Sequence, residues 1–239
     1  MSSLASHAST DGVLHAGLVW RGDRLATGSG PVLPTGFAAL DAVLPGGGWP
    51  ANALVELLAE RPGIGELSLL LPLMRVIGAG RWLAWIAPPL LPHAAALEAA
   101  GVPLERLLLL DPPRPEQALW ATRQALASGS CSAVLAWPQR IDGAGLRRLQ
   151  LAAEDGATPL FLFRPPAAAR QASPAPLRLL LSAAPGALEI HILKRRGPPL
   201  TAPLRLPVHD GLVAAAEPSA AVQPFHPAPT AVAPSLQAG

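Results

Sequence analysis

The chain has 239 residues, 50% hydrophobic and only 14% charged, against roughly 25% charged in an ordinary globular protein. That length suits one full-sized domain with a substantial core. A formal net charge of +2 offers no polycationic surface, so composition does not point to nucleic-acid binding. The single cysteine, Cys131, excludes an intrachain disulfide and fits a reducing cytoplasm, the expected location.

Residues 1–28 mix Ser, Gly, His and Arg without periodicity and are expected to form a partly disordered arm. The opening "MSSLASHASTDG" has neither a basic segment nor an apolar run and is not expected to act as a secretory signal. "ALVELL" predicts a buried strand, followed by a Gly-rich turn and an apolar helix to about Gly80. "RWLAWIA" predicts a second strand, "HAAALEAAG" a helix stopped by Gly101, and "RLLLLD" a third strand. "RPEQALWATRQALASG" predicts a helix opened by Pro115, with Glu116 in its first turn and Gly129 at its end. "SAVLAW" is the fourth strand, "GLRRLQLAAEDG" a helix and "PLFLFR" the fifth strand. Beyond them "LRLLLS", "LEIHILKRR" and "LRLPV" alternate without helices, predicting antiparallel additions at one edge. Residues 211–239 form an Ala/Pro-rich tail with too little apolar bulk to order itself.

Strands and helices that alternate, with each strand a continuous apolar run, predict an α/β fold. It is a mostly parallel, twisted sheet with helices on both faces. No apolar run reaches the roughly twenty uninterrupted residues needed to span a bilayer, so no membrane partner is expected.

The turn after the first strand, "AERPGIGELSLLL", has the context of a phosphate-binding loop. Its chemistry is missing. Glu60 stands at the first glycine of that motif, Gly63 and Gly65 keep the backbone permissive, Glu66 stands where the lysine belongs, and Leu67 replaces the Mg²⁺-binding hydroxyl. A unit charge about 4 Å from a phosphate is worth about 4 kcal/mol at an effective dielectric near 20. Glu66 reverses its sign, and micromolar binding amounts to only about 8 kcal/mol. Trp137 ends the fourth strand where a nucleotide hydrolase places its Mg²⁺-ordering aspartate. The residues therefore predict no cofactor and no catalysis.

Three stretches carry a resemblance: "LPTGFAALDAVLPGGGWPANALVELL", "GVPLERLLLLDPPRPEQALWATRQALASGSCSAVLAW" and "EIHILKRRGPPLTAPLRL". Together they are similar to the RecA-like core, which implies one such domain over residues 29–210. The threonine-glycine and leucine-aspartate before "GGGWP", the "RRLQLAAE" before a strand ending "FRP", and the "LKRRG" strand end resemble the ImuA family. These are RecA-like accessory proteins of SOS-induced translesion DNA synthesis and mutagenic repair. That resemblance implies three partners: an inactive Y-family polymerase-like protein, an error-prone DNA polymerase III alpha-type subunit and the RecA recombinase, with possible DNA contact. The shorter SulA-type SOS division inhibitors, which bind the tubulin-like FtsZ, also look like a RecA core without its phosphate loop, and give the alternative. A RecA-type ATPase with an atypical phosphate loop is a further alternative, opposed by the chain's only lysine, Lys194, far from the loop.

Lys194, Arg195 and Arg196 are the densest basic cluster and the candidates for partner or nucleic-acid contact; the simpler reading is a solvated strand end. Arg147 and Arg148 predict a solvent face. Trp82, Trp85, Trp120 and Trp137 are expected in the core, as is the Cys131 thiol. Trp20 and Trp49 are expected to pack, with a partner anchor as the second reading. The six histidines have no metal-ligand spacing, so no metal is expected.

Overall fold

The computed structural model describes residues 30–76 and 80–207. A short antiparallel pair comes first: β1 (Val32–Leu33) against β2 (Trp49–Pro50), with helix α1 (Ala38–Asp41) between them. The "LPTGFAALD" motif is explained here. The Thr35 amide donates to the Asp41 carboxylate at 3.0 Å, and Gly36, at φ +84°, lies so close to Pro72 that a Cβ would sit 2.4 Å from the ring.

β3 (Leu54–Ala59) leads through the Gly-rich turn to α2 (Leu71–Arg75) and β4 (Trp82–Ile86). α3 (Ala94–Ala99), β5 (Leu107–Leu110), α4 (Pro115–Ala127), β6 (Cys131–Ala136), α5 (Gly143–Asp155) and β7 (Leu160–Arg164) continue the alternation. β8 (Leu177–Ala184), β9 (Ala187–Lys194) and β10 (Leu204–Pro207) complete one eight-stranded sheet in the order β10-β9-β8-β3-β7-β6-β4-β5. Six strands are parallel; β9 and β10 are antiparallel. Leu71, Met74 and Leu97 cover one face of the sheet, and Ala118, Leu126, Leu146 and Leu149 cover the other. The α/β architecture with helices on both faces stands as expected. Among the described residues no helix is long and apolar enough to cross a membrane.

Four details differ from the sequence reading. β8 is not an antiparallel addition but pairs parallel with β3, Leu179 opposite Leu57; the antiparallel part begins at β9. The helix expected directly after the turn has only five residues. Pro72 lacks an N–H, and its ring would clash with the carbonyl four residues back, so the helix has Pro72 in its first turn. β5 is an edge strand, which leaves Leu108 and Leu109 more than one-third exposed. Trp82 and Trp120, expected in the core, are 39% and 59% exposed, whereas Trp85 is buried. Trp49 is fully buried and packs edge-on against Phe161 at 5.3 Å, so it is packing and not an anchor. Trp20, the arm and the tail lie outside the described residues.

Cys131 is buried, and that burial pushes its thiol pKa up against the opposing charge of Arg81. The Arg81 guanidinium donates to the Cys131 carbonyl.

An ion cluster joins the three central strands. Glu56 on β3 is fully buried; its carboxylate accepts from Arg164 Nη1 on β7 at 2.5 Å and from Arg178 Nε on β8. Glu56 lies directly opposite Arg178, and Arg164 is opposite Leu58, two residues along the same face. Arg178 also donates to the carbonyls of Ala168 (2.7 Å) and Gln171 (3.2 Å), and Arg164 donates to Gln171 Oε1 at 2.7 Å. The two arginines thus fasten the β7–β8 crossover, a short 3₁₀ turn at Pro166–Arg170, over the face of β3 and β8. Removing one partner of a buried pair strands the other charge. Glu56→Ala should therefore lose about 3–5 kcal/mol in urea unfolding followed by circular dichroism; an unchanged midpoint would show that the cluster is dispensable.

Candidate functional site

Parallel α/β sheets place ligands at the carboxyl ends of their strands. At that edge β3 runs into Glu60, β4 into Ala87–Pro89, β6 into Trp137 and β7 into Pro165. The degenerate phosphate-loop residues Glu60, Gly63, Gly65, Glu66 and Leu67 lie there beside Trp137.

Gly63 and Gly65 adopt φ +83° and +100°, conformations that side-chain-bearing residues rarely take. This winding turns two consecutive amides inward, a geometry that holds anions. The anion in it is Glu66. Its carboxylate accepts from the Gly63 amide at 2.9 and 3.1 Å and from the Ile64 amide at 2.9 Å, and the residue is 5% exposed. The sequence reading gave Glu66 as a charge that would repel a phosphate bound at the loop. The structure adds that the side chain folds back and takes the amides a phosphate would use.

The space beside the loop is apolar. Trp137 stacks flat on Phe163, with centroids 4.4 Å apart and planes at 5°, and leans on Trp85 at 5.7 Å. Two adjoining cavities of about 310 and 220 Å³ share Pro62, Glu66, Pro89 and Trp137. Leu90 and Leu91, at the rim of the larger, are 68% and 78% exposed. Arg164 borders the smaller cavity with its guanidinium engaged by Glu56 and Gln171. The edge offers an apolar groove with an internally neutralised loop.

The basic cluster is elsewhere. β9 runs antiparallel to β8, so its C-terminal end lies with the starts of the parallel strands, at the edge opposite the loop. Lys194 Nζ donates to the Ser173 carbonyl at 2.9 Å; Arg195 donates to the Pro198 carbonyl at 2.9 Å and to the Val43 carbonyl. Arg196 lines a third cavity of about 540 Å³ with Asn52, Gln150 and Glu154. Lys194, though exposed, and Arg195 thus tie loops together, and Arg196 borders the third cavity.

The fold is shared with a crystal structure of the RadB recombinase, at a TM-score of 0.59 over 75% of this chain and 97% of that one, with 16% identity. This establishes a RecA-like architecture. The family described as "Cell division inhibitor SulA" matches residues 53–159. A Serratia marcescens protein named cell division inhibitor SulA is 31% identical over 118 residues, 48% of this chain and 69% of that protein. The chain belongs to the SulA family. The Photorhabdus laumondii SulA is 35% identical over 111 residues, 46% of this chain; the match spans 63% of that relative's length, just under two thirds. The SulA match runs from β3 through α5 and stops before β7. It includes the degenerate loop and Trp137 and leaves β7–β10 outside.

The Glu56 cluster escaped the sequence reading, although a signal was present. "ALVELL" carries one carboxylate in an otherwise apolar strand, and "PLFLFR" and "LRLLLS" each carry one arginine.

Two outcomes follow from the loop. Glu66→Ala leaves two amides without their acceptor and should lower stability by about 1–3 kcal/mol in urea unfolding. Calorimetric titration of the wild-type chain with Mg-ATP should give no saturable heat. A stoichiometric dissociation constant below about 100 μM, about 5.5 kcal/mol of binding, would restore the ATPase alternative.

Proposed function

We propose that this chain is a non-catalytic SOS-response protein that acts by binding another protein, and that its SulA-like segment serves cell-division arrest. FtsZ is the partner this reading implies. The observation that carries it is the Glu66 carboxylate seated on the Gly63 and Ile64 amides, within a segment that matches division inhibitors over residues 53–159. A protein whose relatives are named as inhibitors needs a rigid surface and no turnover, and an occupied loop on a RecA-like frame supplies that.

A second reading is favoured by one observation: β7–β10 lie outside the SulA match, and they carry the "FRP" and "LKRRG" marks similar to ImuA. Under that reading the chain is an accessory factor of translesion synthesis. Its partners would be the inactive Y-family polymerase-like protein, the error-prone polymerase subunit and RecA.

Affinity-tagged chain recovered from DNA-damaged cells distinguishes the two. Division arrest predicts enrichment of FtsZ, together with filamentous growth on overproduction. Recovery of polymerase subunits without FtsZ, and normal cell length, would transfer the function to translesion synthesis.

A further inference from the structure

The cavity of about 540 Å³ lies at the sheet edge opposite the Gly-rich turn, among the start of β3, the C-terminal half of α5 and the chain after β9. It holds two charges that no described residue fully answers. Gln150 is 9% exposed; its Oε1 accepts from the Leu54 amide at 2.9 Å, and its Nε2 donates to Glu154 Oε1 at 2.6 Å. That bond holds the Glu154 carboxylate at the cavity wall. Neither Glu154 Oε2 nor the Arg196 guanidinium has a hydrogen bond or salt bridge to any described residue. Gly30, Pro31 and Val32 line the same cavity, and a Cβ on Gly30 would lie 3.9 Å from Asn52 Oδ1. The Pro31 carbonyl accepts from the Ala51 amide at 3.0 Å, and Val32 pairs with Pro50. The point at which residues 1–29 join the fold is therefore fixed at the cavity itself.

We propose that residues 20–29, "WRGDRLATGS", seat in this cavity and clasp α5 to the end of β9, with Arg24 on the Glu154 carboxylate and Asp23 on the Arg196 guanidinium. Charge alone does not choose the occupant, because the cavity offers one group of each sign. The tether does. Arg24 is six residues before Gly30, an extended reach of about 20 Å. A short linker holds a segment near its site at an effective concentration of about millimolar, an advantage no free solute shares. The tail is a poor substitute. Pro207 pairs with Ala187, the first residue of β9, at the sheet edge that carries the Gly-rich turn. Residues 208–239 contain no lysine or arginine to answer Glu154. The clasp joins Glu154, inside the segment matched by the SulA family, to Arg196, outside it. It holds whichever partner the proposed function identifies, so its failure leaves that reading standing.

The test is hydrogen exchange of the full chain read by mass spectrometry, with a synthetic peptide of residues 18–30 giving the unprotected rate. Amides 23–29 should exchange ~10-fold or more slowly in the protein than in the peptide. Glu154→Gln keeps the acceptor for Gln150 and removes the charge; it should lower that protection by ~3-fold or more, as should Arg24→Glu. Arg24→Glu combined with Glu154→Arg should restore it, a result that mere loss of packing does not give. Should the Glu154→Arg chain fail to fold, a second swap on the exposed Arg196 serves in its place. Arg196→Asp with Asp23→Arg must then restore the protection that Asp23→Arg alone removes. Exchange of amides 23–29 at the peptide's rate, or protection indifferent to these variants, overturns the proposal. So does protection that grows with protein concentration alongside a dimer in sedimentation equilibrium, which would seat the arm in a second copy.

Discussion

One buried carboxylate holds the centre of the sheet. Glu56 on β3 bonds to a strand on either side, Arg164 on β7 and Arg178 on β8, with no exposure to water. Taking three charges into the interior is costly, and two cations against one anion leave a charge still to be answered. Backbone carbonyls of the β7–β8 crossover answer it, so the cluster ties strand order to the path of the connection. A strand shifted by one residue would turn Glu56 to the opposite face, among Val55 and Leu57. The cluster thus selects the register of three neighbouring strands as well as stabilising them, and the loop and Trp137 take their places from strands so fixed.

That frame carries a site in which each part that would act on a nucleotide is replaced by one that completes the protein's own structure. Glu66 satisfies the loop amides, and Trp137 fills the strand end by stacking on Phe163. A RecA-like fold sets where such residues meet but not what they do there. Under the proposed function the work falls to surfaces, among them the apolar groove beside the loop and the edge where β9 ends. The carbonyl bonds of Lys194 and Arg195 give the last of these a holding role within the chain whatever partner it meets.

The parallel core was legible because buried parallel strands are continuous apolar runs. Gly101 and Gly129, at positive φ, follow the two helices whose ends the sequence marked; the start at Asp142, which caps Gly145, was not marked. What could not be read was strand order. "LRLLLS" looks the same whether it pairs parallel or antiparallel, and only the return of β8 beside β3 decides it. The exposure of Trp82 and Trp120 was hidden for a related reason. Periodicity names the apolar residues of a helix or strand but not whether a neighbour covers them, and β5 at the sheet edge leaves its side uncovered. At the loop, spacing showed that lysine, hydroxyl and aspartate were absent. It could not show that the glutamate in the lysine's place bends back to occupy the amides, because that depends on the φ angles of Gly63 and Gly65.

The internal carboxylate of the loop also bears on timing. A RecA-like protein that hydrolyses nucleotide carries a clock: it grips in one phosphate state and releases in the next. A loop that supplies its own anion, fixed by a covalent bond to the chain, cannot change state by losing a phosphate. Under the proposed function, engagement with a partner is then set by mass action, through the amounts of the two proteins and their affinity. Ending the interaction falls to dilution, to removal of the protein, or to a competitor for the same surface.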